Sequence, residues 1–497
     1  MRKVNPNGSK NAPETSPRDR QWPLRLFGGL LIVLLIAILL PRQRKIVPAQ
    51  SSAADTSAGG QVENSRSMRE GGGSHYRSNI SSAASAEEIV ASKVSQFARS
   101  RREVTLAMAR KLNVNLPQDV ERFFDAVESG RWEEVQTLFE SLLKQRESEH
   151  PQNAKALGER FWVVGNNPTT GADEPGGLRN LWGPILETFG VAEQAHIWPA
   201  QELLDYGHSI LDSLRPGMIY IGGTDPGRFI PTLLNETSEG ERHVIFTQNA
   251  LADNTYLQYA SFLYEDQLPT LNADDEQRAF QDYVTDAQRR FAHDQQFPDE
   301  PRQVRPGEDI RMEDGRIQVS GQIAVMGINE KLFQMLMAKN PDLSFAMEQS
   351  FPLTSTYGQA APLGPIMELR VRDEQNVLTQ ERASQAVDYW RTIAEQLLAD
   401  PAATDSQPIR LTWSKMASEQ AALFLDRNYI SEAEQGFQLA TQLCPSSSEA
   451  VFRYVNLLLA QNRVEDALLV AENGAKADST NGQFTSLVNQ LRQSRPN

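Results

Sequence analysis

The predicted fold is decided by residues 218–229, which read Met-Ile-Tyr-Ile-Gly-Gly-Thr-Asp-Pro-Gly-Arg-Phe. The first four residues are aromatic, β-branched or otherwise apolar, which is typical of a buried strand. A polar turn with three glycines and a proline follows, and the apolar residues 229–234 come directly after it. This order predicts a strand, a turn and a helix.

The same order recurs further along the chain. Residues 244–247 predict a second short strand, residues 248–255 a second polar turn, and residues 256–264 a helix. Strand, turn and helix in alternation predict a parallel α/β unit, here a Rossmann-like domain over residues 181–375. In such sheets ligands bind beyond the carboxyl ends of the strands, where both polar turns would lie.

The two turns supply eight candidate ligand-binding residues: Gly222, Gly223, Thr224, Asp225, Arg228, Gln248, Asn249 and Asp253. Glycines let a ligand approach the backbone, and free N–H groups at a helix start beside an arginine suit a phosphate or carboxylate. Asp225 opposes an anion because its carboxylate occupies the same positive position. A sugar hydroxyl or a cation is therefore the alternative ligand.

The competing interpretation of the turns is structural. The glycines would then adopt φ angles that other residues avoid. Asp225 and Asp253 would cap helices, and Arg228 would form an ion pair with one of those carboxylates. The turns match neither a GxGxxG dinucleotide turn nor a Walker loop, and no Gly-x-Ser-x-Gly elbow or Cys/His pair occurs. His196 and His208 lack partners at ligand spacing. We therefore assign no catalytic residue, leave catalysis open, and predict no metal and no cofactor.

Charge and cysteine content limit the function classes. The net charge is −15 over 497 residues, but residues 1–45 hold nine Lys and Arg against two acidic residues, a net +7, which leaves −22 for the rest. An acidic body argues against nucleic-acid binding. Cys444 is the single cysteine, which excludes an internal disulfide framework.

A membrane anchor is predicted near the N-terminus. Residues 26–40 are an unbroken apolar or glycine run, and twelve of these fifteen are Leu, Ile, Val or Phe, which favours insertion by about 4–7 kcal/mol. Trp22 and Arg25 extend the run, so residues 22–40 predict a single transmembrane helix. A cleaved signal peptide is the alternative, disfavoured because Pro41 and three basic residues follow where small residues are needed.

The anchor also predicts an orientation. Six Lys and Arg precede the apolar run, so residues 1–21 are expected to form a basic tail in the cytoplasm. The body would then lie beyond the inner membrane, in the periplasm of a Gram-negative bacterium. Residues 41–84 are rich in Ser, Ala and Gly and predict a disordered linker.

Helical periodicity flanks the α/β domain on both sides. Residues 85–180 predict a helical hairpin region that opens with a capping box at Ser85 and turns at Gly130. Residues 376–497 predict a helical domain with a long helix over 379–398. Within the α/β domain, Asp314 and Gly315 predict a hairpin turn, and residues 343–347 and 366–371 predict two further strands.

The C-terminal helices repeat with a period of 34, the length of a tetratricopeptide repeat. Residues 414–447 place small and large residues alternately at Ala421, Phe424, Ala433, Phe437 and Ala440, followed by Pro445. Residues 448–481 match this pattern in part, since Gly474 and Ser479 depart from it. Residues 484–491 predict a capping helix. A plain helical bundle is the alternative.

Residues 220–229 and 247–253 resemble the soluble segment of a group of bacterial membrane proteins. Some of these carry a multi-pass region of the protein O-mannosyltransferase type, with tetratricopeptide repeats after the soluble part. The resemblance covers residues 94–497, and the two polar turns are its most specific motifs. It implies a membrane-attached α/β body with repeats. It implies no activity or catalytic residue, because this chain lacks the multi-pass region.

These features predict a single-pass, membrane-anchored extracytoplasmic scaffold whose repeats hold a protein partner in the cell envelope. The alternative is an α/β domain that binds sugar or phosphate ligands, or a degenerate glycosyltransferase-associated domain. The two hypotheses differ in geometry. Turns that serve a ligand should face one open cleft, whereas structural turns should be filled by neighbouring side chains.

Overall fold

The computed structural model describes residues 84–149, 162–163, 177–313, 316–348, 360–369 and 377–493. The predicted cytoplasmic tail, the predicted transmembrane helix and all but the last residue of the predicted linker lie outside these ranges. In the part of the chain that the structure describes, none of the helices has both the length and the apolarity that a bilayer crossing requires.

The described chain is mostly helical and carries a small mixed sheet. The helices up to the end of the α/β region are α1 Ala86–Lys111, α2 Gln118–Glu128, α3 Trp132–Ser148, α4 Trp182–Ile197, α5 Ala200–Leu211, α6 Asp225–Glu236, α7 Asn254–Tyr264, α8 Ala273–Gln296 and α9 Gln322–Lys339. The helices that follow are α10 Gln380–Ala399, α11 Pro401–Asp405, α12 Gln407–Asp426, α13 Ile430–Leu443, α14 Ser448–Ala460, α15 Val464–Ala477 and α16 Gly482–Gln493. The strands are β1 Trp162–Val163, β2 Ile219–Gly222, β3 Val244–Thr247, β4 Asp309–Glu313, β5 Arg316–Ser320, β6 Phe345–Met347, β7 Ala361–Leu363 and β8 Ile366–Glu368.

Local capping chemistry sets several helix starts. Ser85 Oγ accepts a hydrogen bond from Glu88 N at 3.2 Å, and Glu88 Oε2 accepts one from Ser85 N at 2.9 Å, so the predicted capping box opens α1. Asn272 and Asp275 form a second box at the start of α8. Each box satisfies N–H groups that have no partner within the helix.

The main sheet has five strands in the order β3-β2-β6-β8-β7. β2 pairs in parallel with β3, with Ile219 opposite Val244, and in parallel with β6 on its other side. The predicted parallel arrangement is confirmed for these three strands. It is wrong for the sheet as a whole, because β8 runs antiparallel to β6 and β7 antiparallel to β8. The connection from Leu363 to Ile366 is too short for a parallel crossover and turns through Gly364 at φ 58°.

The strand order reverses at β2, since the next strand along the chain, β3, lies on one side of it and β6 lies on the other. In open α/β sheets this reversal marks the crevice where ligands bind. The sequence pointed to the corner between β2 and β3. The topology instead directs attention to the corner between β2 and β6, where the chain continues from Met347 to Glu348.

A second, three-stranded sheet has the order β1-β5-β4 and is antiparallel throughout. β4 and β5 form the hairpin that Asp314 and Gly315 predict, with Glu313 opposite Arg316. Asp314 and Gly315 themselves lie outside the described residues. This hairpin therefore belongs to a separate sheet and does not extend the main one.

Helix α1 packs against the α/β region through a buried arginine. Arg101 is 2% exposed, and its guanidinium lies 2.5 Å from Glu187 of α4 and 3.3 Å from Glu236 of α6. Tyr259 of α7 donates a further hydrogen bond to Glu187 at 2.6 Å. The predicted boundary between residues 180 and 181 thus falls between elements that pack against each other.

The C-terminal helices repeat one corner geometry. Asn428 and Asn462, 34 residues apart, both have φ 61°. Tyr429 N donates to Phe424 O at 2.9 Å, and Arg463 N donates to Leu458 O at the same distance. Asparagine tolerates this left-handed conformation, and the bond across the corner satisfies a free helix-end carbonyl. The α12–α13 and α14–α15 hairpins are therefore structurally equivalent at their corners.

The small and large residues of the 34-residue pattern are buried in these hairpins. They are buried in both copies: Ala421, Phe424, Ala433, Phe437 and Ala440 in the first, and Val455, Leu458, Ala467, Ala471 and Gly474 in the second. The corner also recurs before the sheet, between α2 and α3. There Gly130 has φ 66°, and Arg131 N donates to Ala126 O at 3.0 Å.

The hairpin array is joined to the main sheet by Gln420 of α12, which is 1% exposed. Its Nε2 donates to the carbonyls of Gly364 at 2.8 Å and Ile366 at 3.0 Å. Its Oε1 accepts a hydrogen bond from Trp390 Nε1 of α10 at 2.9 Å. One side chain therefore satisfies groups on the sheet, on the long helix before the array and on the array itself.

Gln420→Leu should lower the free energy of unfolding by about 2–4 kcal/mol, because it leaves one buried N–H and two buried carbonyls without partners. Urea denaturation followed by tryptophan fluorescence measures this loss. Gln438→Leu on the exposed face of α13 is the matched control and should change little. A Gln420→Leu midpoint equal to that of the control would contradict this account of the junction.

Candidate functional site

The first polar turn closes around a side chain of the same chain. β2 ends at Gly222, and α6 starts at Asp225 with Thr224 as its N-cap. Glu348, the residue directly after β6, extends its carboxylate into this turn and is 1% exposed. The turn that the sequence marks as a ligand site is therefore occupied from within the fold.

Four hydrogen bonds hold the Glu348 carboxylate. Oε2 accepts from the N–H groups of Gly223 at 3.2 Å and Thr224 at 3.1 Å. Oε1 accepts from Thr224 Oγ1 at 2.7 Å and from the Tyr206 hydroxyl at 3.0 Å. Backbone N–H groups and hydroxyls at the start of a helix form the kind of cradle that binds a phosphate or carboxylate ligand. Here the protein supplies the carboxylate itself.

The turn glycines serve this internal group. A Cβ atom on Gly227 would lie 1.8 Å from Glu348 Oε2, and one on Gly222 would lie 2.7 Å from the Gly227 carbonyl oxygen. Neither distance is tolerable for a side chain. Close approach to the backbone, which the sequence suggested for a ligand, is thus used by Glu348 and by the first turn of α6.

Tyr206 and Tyr220 line the same buried corner. Burial raises the pKa of each well above its ordinary value, and the charge of Glu348 raises it further. Both hydroxyls therefore remain protonated at neutral pH. Tyr206 donates to Glu348, and Tyr220 donates to Gly227 O at 2.7 Å.

The second turn meets the first, as the parallel pairing of β2 and β3 requires. Asn249 Nδ2 donates to Gly223 O at 2.8 Å, and Ala252 N donates to Asn329 Oδ1 of α9 at 2.8 Å. Asp253 Oδ1 accepts from Thr255 N at 2.9 Å and caps α7. Gln248 is 1% exposed. At these positions the two turns bind each other and their neighbours.

Arg228 differs from the other seven candidate residues. The structural interpretation pairs it with Asp225 or Asp253, but its guanidinium forms no hydrogen bond or ion pair within 4 Å with any residue that the structure describes. The guanidinium carbon stacks on the Phe229 ring, 3.9 Å from its centroid. Asp225 is exposed at the first turn of α6.

Arg228 borders a cavity of about 60 Å³ between α4, α6 and α7. The lining combines aromatic, aliphatic and polar side chains: Trp182, Gly183, Leu186, Glu187, Arg228, Phe229, Thr232, Thr247, Ala250, Asp253, Thr255, Tyr256 and Tyr259. Of the eight residues that the sequence nominates, this cavity gathers Arg228 and Asp253 only. It lies beside the filled turn, and Thr247, the last residue of β3, forms part of its wall.

Glu193 of α4 joins Asp225 and Arg228 in one electrostatic group. Burial, and then the charge of Asp225, raises the pKa of Glu193 to about 7, while Arg228 acts in the opposite direction. Perturbed carboxyl groups of this kind cluster at functional sites but also occur in structural networks. Sequence patterns near Glu193 do not mark it as a site residue, because Asp225 and Arg228 lie on a different helix.

Glu348 and Tyr206 are also site residues that were not predicted from the sequence. A signal for Glu348 existed, since it is the first polar residue after the predicted strand 343–347 and lies at the carboxyl end of that strand. The rule that selected the two turns applies to it equally. Tyr206 gave no such signal, because its hydroxyl reaches Glu348 across 142 positions of the chain.

No family model, curated protein or solved structure matches this chain. Among the described residues, no group of three His, Cys, Asp or Glu side chains is arranged to hold a metal ion. The site therefore has to be interpreted from its own geometry.

Glu348→Ala should lower the free energy of unfolding by about 2–4 kcal/mol, because the cradle then loses its carboxylate. Added acetate should enter the empty cradle and recover about 1 kcal/mol at about five times its dissociation constant. Thermal unfolding with and without acetate measures both effects. The exposed variant Glu103→Ala should show neither, and a Glu348→Ala protein that acetate does not stabilise would refute the cradle.

The stability of the protein should decline as pH rises from about 5 to about 8. The pKa of Glu193 is about 7 in the folded chain, as is that of Glu202, which is raised by burial and then by a hydrogen bond with Asp400. Between their ordinary pKa of about 4.5 and about 7, the unfolded chain releases these protons while the folded chain retains them, so unfolding becomes easier.

Glu193→Gln removes one of these titrations and should therefore reduce the decline by on the order of 1–2 kcal/mol. Chemical denaturation across this pH range measures how steeply the free energy of unfolding falls as pH rises. Glu202→Gln should reduce this fall as well. Glu103→Gln is the exposed control and should follow the wild type. Identical slopes for wild type and Glu193→Gln would show that Glu193 titrates like a free carboxyl.

Proposed function

We propose that this protein is a single-pass, membrane-anchored extracytoplasmic scaffold of the bacterial cell envelope. Residues 1–21 would remain in the cytoplasm, residues 22–40 would cross the membrane, and residues 41–84 would link the anchor to the body. The C-terminal hairpins would act as tetratricopeptide-type repeats that bind a protein partner. The apolar run and its flanking basic residues support the anchor.

The observation that carries this proposal is the repeated corner of the C-terminal hairpins. Two corners 34 residues apart share the same φ of 61° and the same hydrogen bond of 2.9 Å, and the small and large residues between them are buried at matching positions. Stacked helical hairpins of this period present extended surfaces that bind other proteins.

The filled turn also supports a scaffold. The position where an open α/β sheet binds a nucleotide or sugar phosphate already holds the Glu348 carboxylate. The α/β region then serves to hold the array, which it contacts through Gln420 and through Tyr206, whose ring packs edge-on at 5.5 Å against Trp413 of α12.

A second candidate function is binding of a small ligand by the α/β domain itself. The specific observation in its favour is the cavity beside Arg228. It lies at the carboxyl end of β3, and the Arg228 guanidinium on its border has no hydrogen-bond or ion-pair partner among the described residues. The sugar or phosphate ligand expected from the sequence would then use this cavity and not the polar turns.

The scaffold is tested by photo-crosslinking in cells. A photoreactive amino acid at Asn456, half-buried on α14, should give discrete adducts with a partner protein in the membrane fraction. The same amino acid at Leu469, which is 57% exposed on α15, is the control for nonspecific capture. Deleting residues 22–40 should abolish the Asn456 adducts, because the body would then stay in the cytoplasm and would not meet an extracytoplasmic partner. Equal labelling at both positions, or none, would refute partner binding by the first helices of the hairpins.

A further inference from the structure

Arg228 is half-buried, and its guanidinium makes no hydrogen bond or ion pair with any residue that the structure describes. Its Nε is shielded from solvent and makes no hydrogen bond. By contrast Arg101, on the other side of α4, is held by two carboxylates at 2.5 and 3.3 Å. An arginine that borders a cavity and leaves donors unused is poised to bind a group that the described residues do not supply.

The size of the cavity restricts what that group is. A cavity needs about 10–15 Å³ to hold one water molecule. The cavity of about 60 Å³ therefore has room for roughly four to six heavy atoms. This is the size of a carboxylate or phosphate group. A whole hexose or nucleotide is too large to be enclosed, although the remainder of a larger ligand would extend out of the cavity.

The carboxylates around the cavity leave the arginine available to an anion. Glu187 is already neutralised by Arg101 at 2.5 Å and by the Tyr259 hydroxyl at 2.6 Å. Asp253 directs one oxygen to the N-terminus of α7, where it also accepts from Thr255 Oγ1 at 2.7 Å. Arg228 and Asp225 both act electrostatically on Glu193, but neither the Glu193 nor the Asp225 carboxylate forms an ion pair with Arg228 within 4 Å.

We propose that this cavity binds the oxyanion head group, carboxylate or phosphate, of a small ligand, and that Arg228 holds the group through its free guanidinium donors. The planar fork of an arginine matches both anions, because each presents two oxygens in one plane. Trp182, Phe229 and Tyr256 supply the apolar wall on which the rest of the ligand would rest. This inference is independent of partner binding by the helical array.

The test is calorimetric titration of the full chain in detergent with inorganic phosphate and, separately, with sodium acetate. At least one should bind with a dissociation constant of about 1 mM, which a group of about five heavy atoms can reach. Arg228→Met should weaken this binding by about tenfold or more, since it removes a charge-assisted hydrogen bond. Arg122→Met, at an exposed site on α2, should leave it unchanged.

Asp253→Asn tests whether the cavity binds an anion. Asparagine still caps α7, but one negative charge at the cavity is removed. The affinity for the anion should rise several-fold in this variant. Binding of phosphate alone or of acetate alone identifies the head group. Absence of binding by both, equal binding by Arg228→Met, or weaker binding by Asp253→Asn would overturn the proposal.

Discussion

The hydrogen bonds of the Glu348 carboxylate hold together the main sheet and the helices beside it. They join the end of β6 to the start of α6 through Gly223 and Thr224, and to α5 through Tyr206. Tyr206 in turn packs against Trp413 of the helical array, and Trp413 against Trp390 at 6.2 Å. A continuous series of contacts thus runs from the ligand corner of the sheet to the C-terminal hairpins. Tyr206 has to donate its hydroxyl proton in this series, and burial favours the protonated form by raising the pKa of Tyr206 well above its ordinary value.

The glycine-rich turn and the cavity beside Arg228 are neighbours that differ in the partners supplied by the described residues. The cradle at the first turn is satisfied by an internal carboxylate, so the α/β region is stable there without a ligand. The Arg228 cavity leaves an arginine with unused donors. Among the described residues, the Arg228 guanidinium makes no hydrogen bond or ion pair, and its contact is the stacking on the Phe229 ring. This contrast is the reason why we place the proposed ligand in the cavity and not at the conspicuous glycine-rich turn.

Much of the fold was predictable because its signals are local. The strands at 219–222 and 244–247 and the capping box at Ser85 follow from residues within a few positions of one another. The candidate site was predictable only in part. The sequence identified Arg228 and Asp253, which line the cavity, but assigned the same weight to Gly223 and Asn249, which bind each other. It missed Glu348, Tyr206 and Glu193, because each acts on residues that are distant in the chain.

By itself the sequence determined the helical character of the chain, the parallel pair β2 and β3 and the 34-residue spacing of the C-terminal hairpins, since each depends on short-range periodicity, turn residues or capping. Only the tertiary structure decided that β7 and β8 make the sheet mixed, that Gln420 joins the array to it, and that the glycine-rich turn is filled. Whether a polar turn binds a ligand or a side chain depends on what the rest of the fold brings to it. Glu348 lies 124 positions further along the chain than Thr224. No local pattern near Thr224 can therefore predict that the Glu348 carboxylate fills the turn.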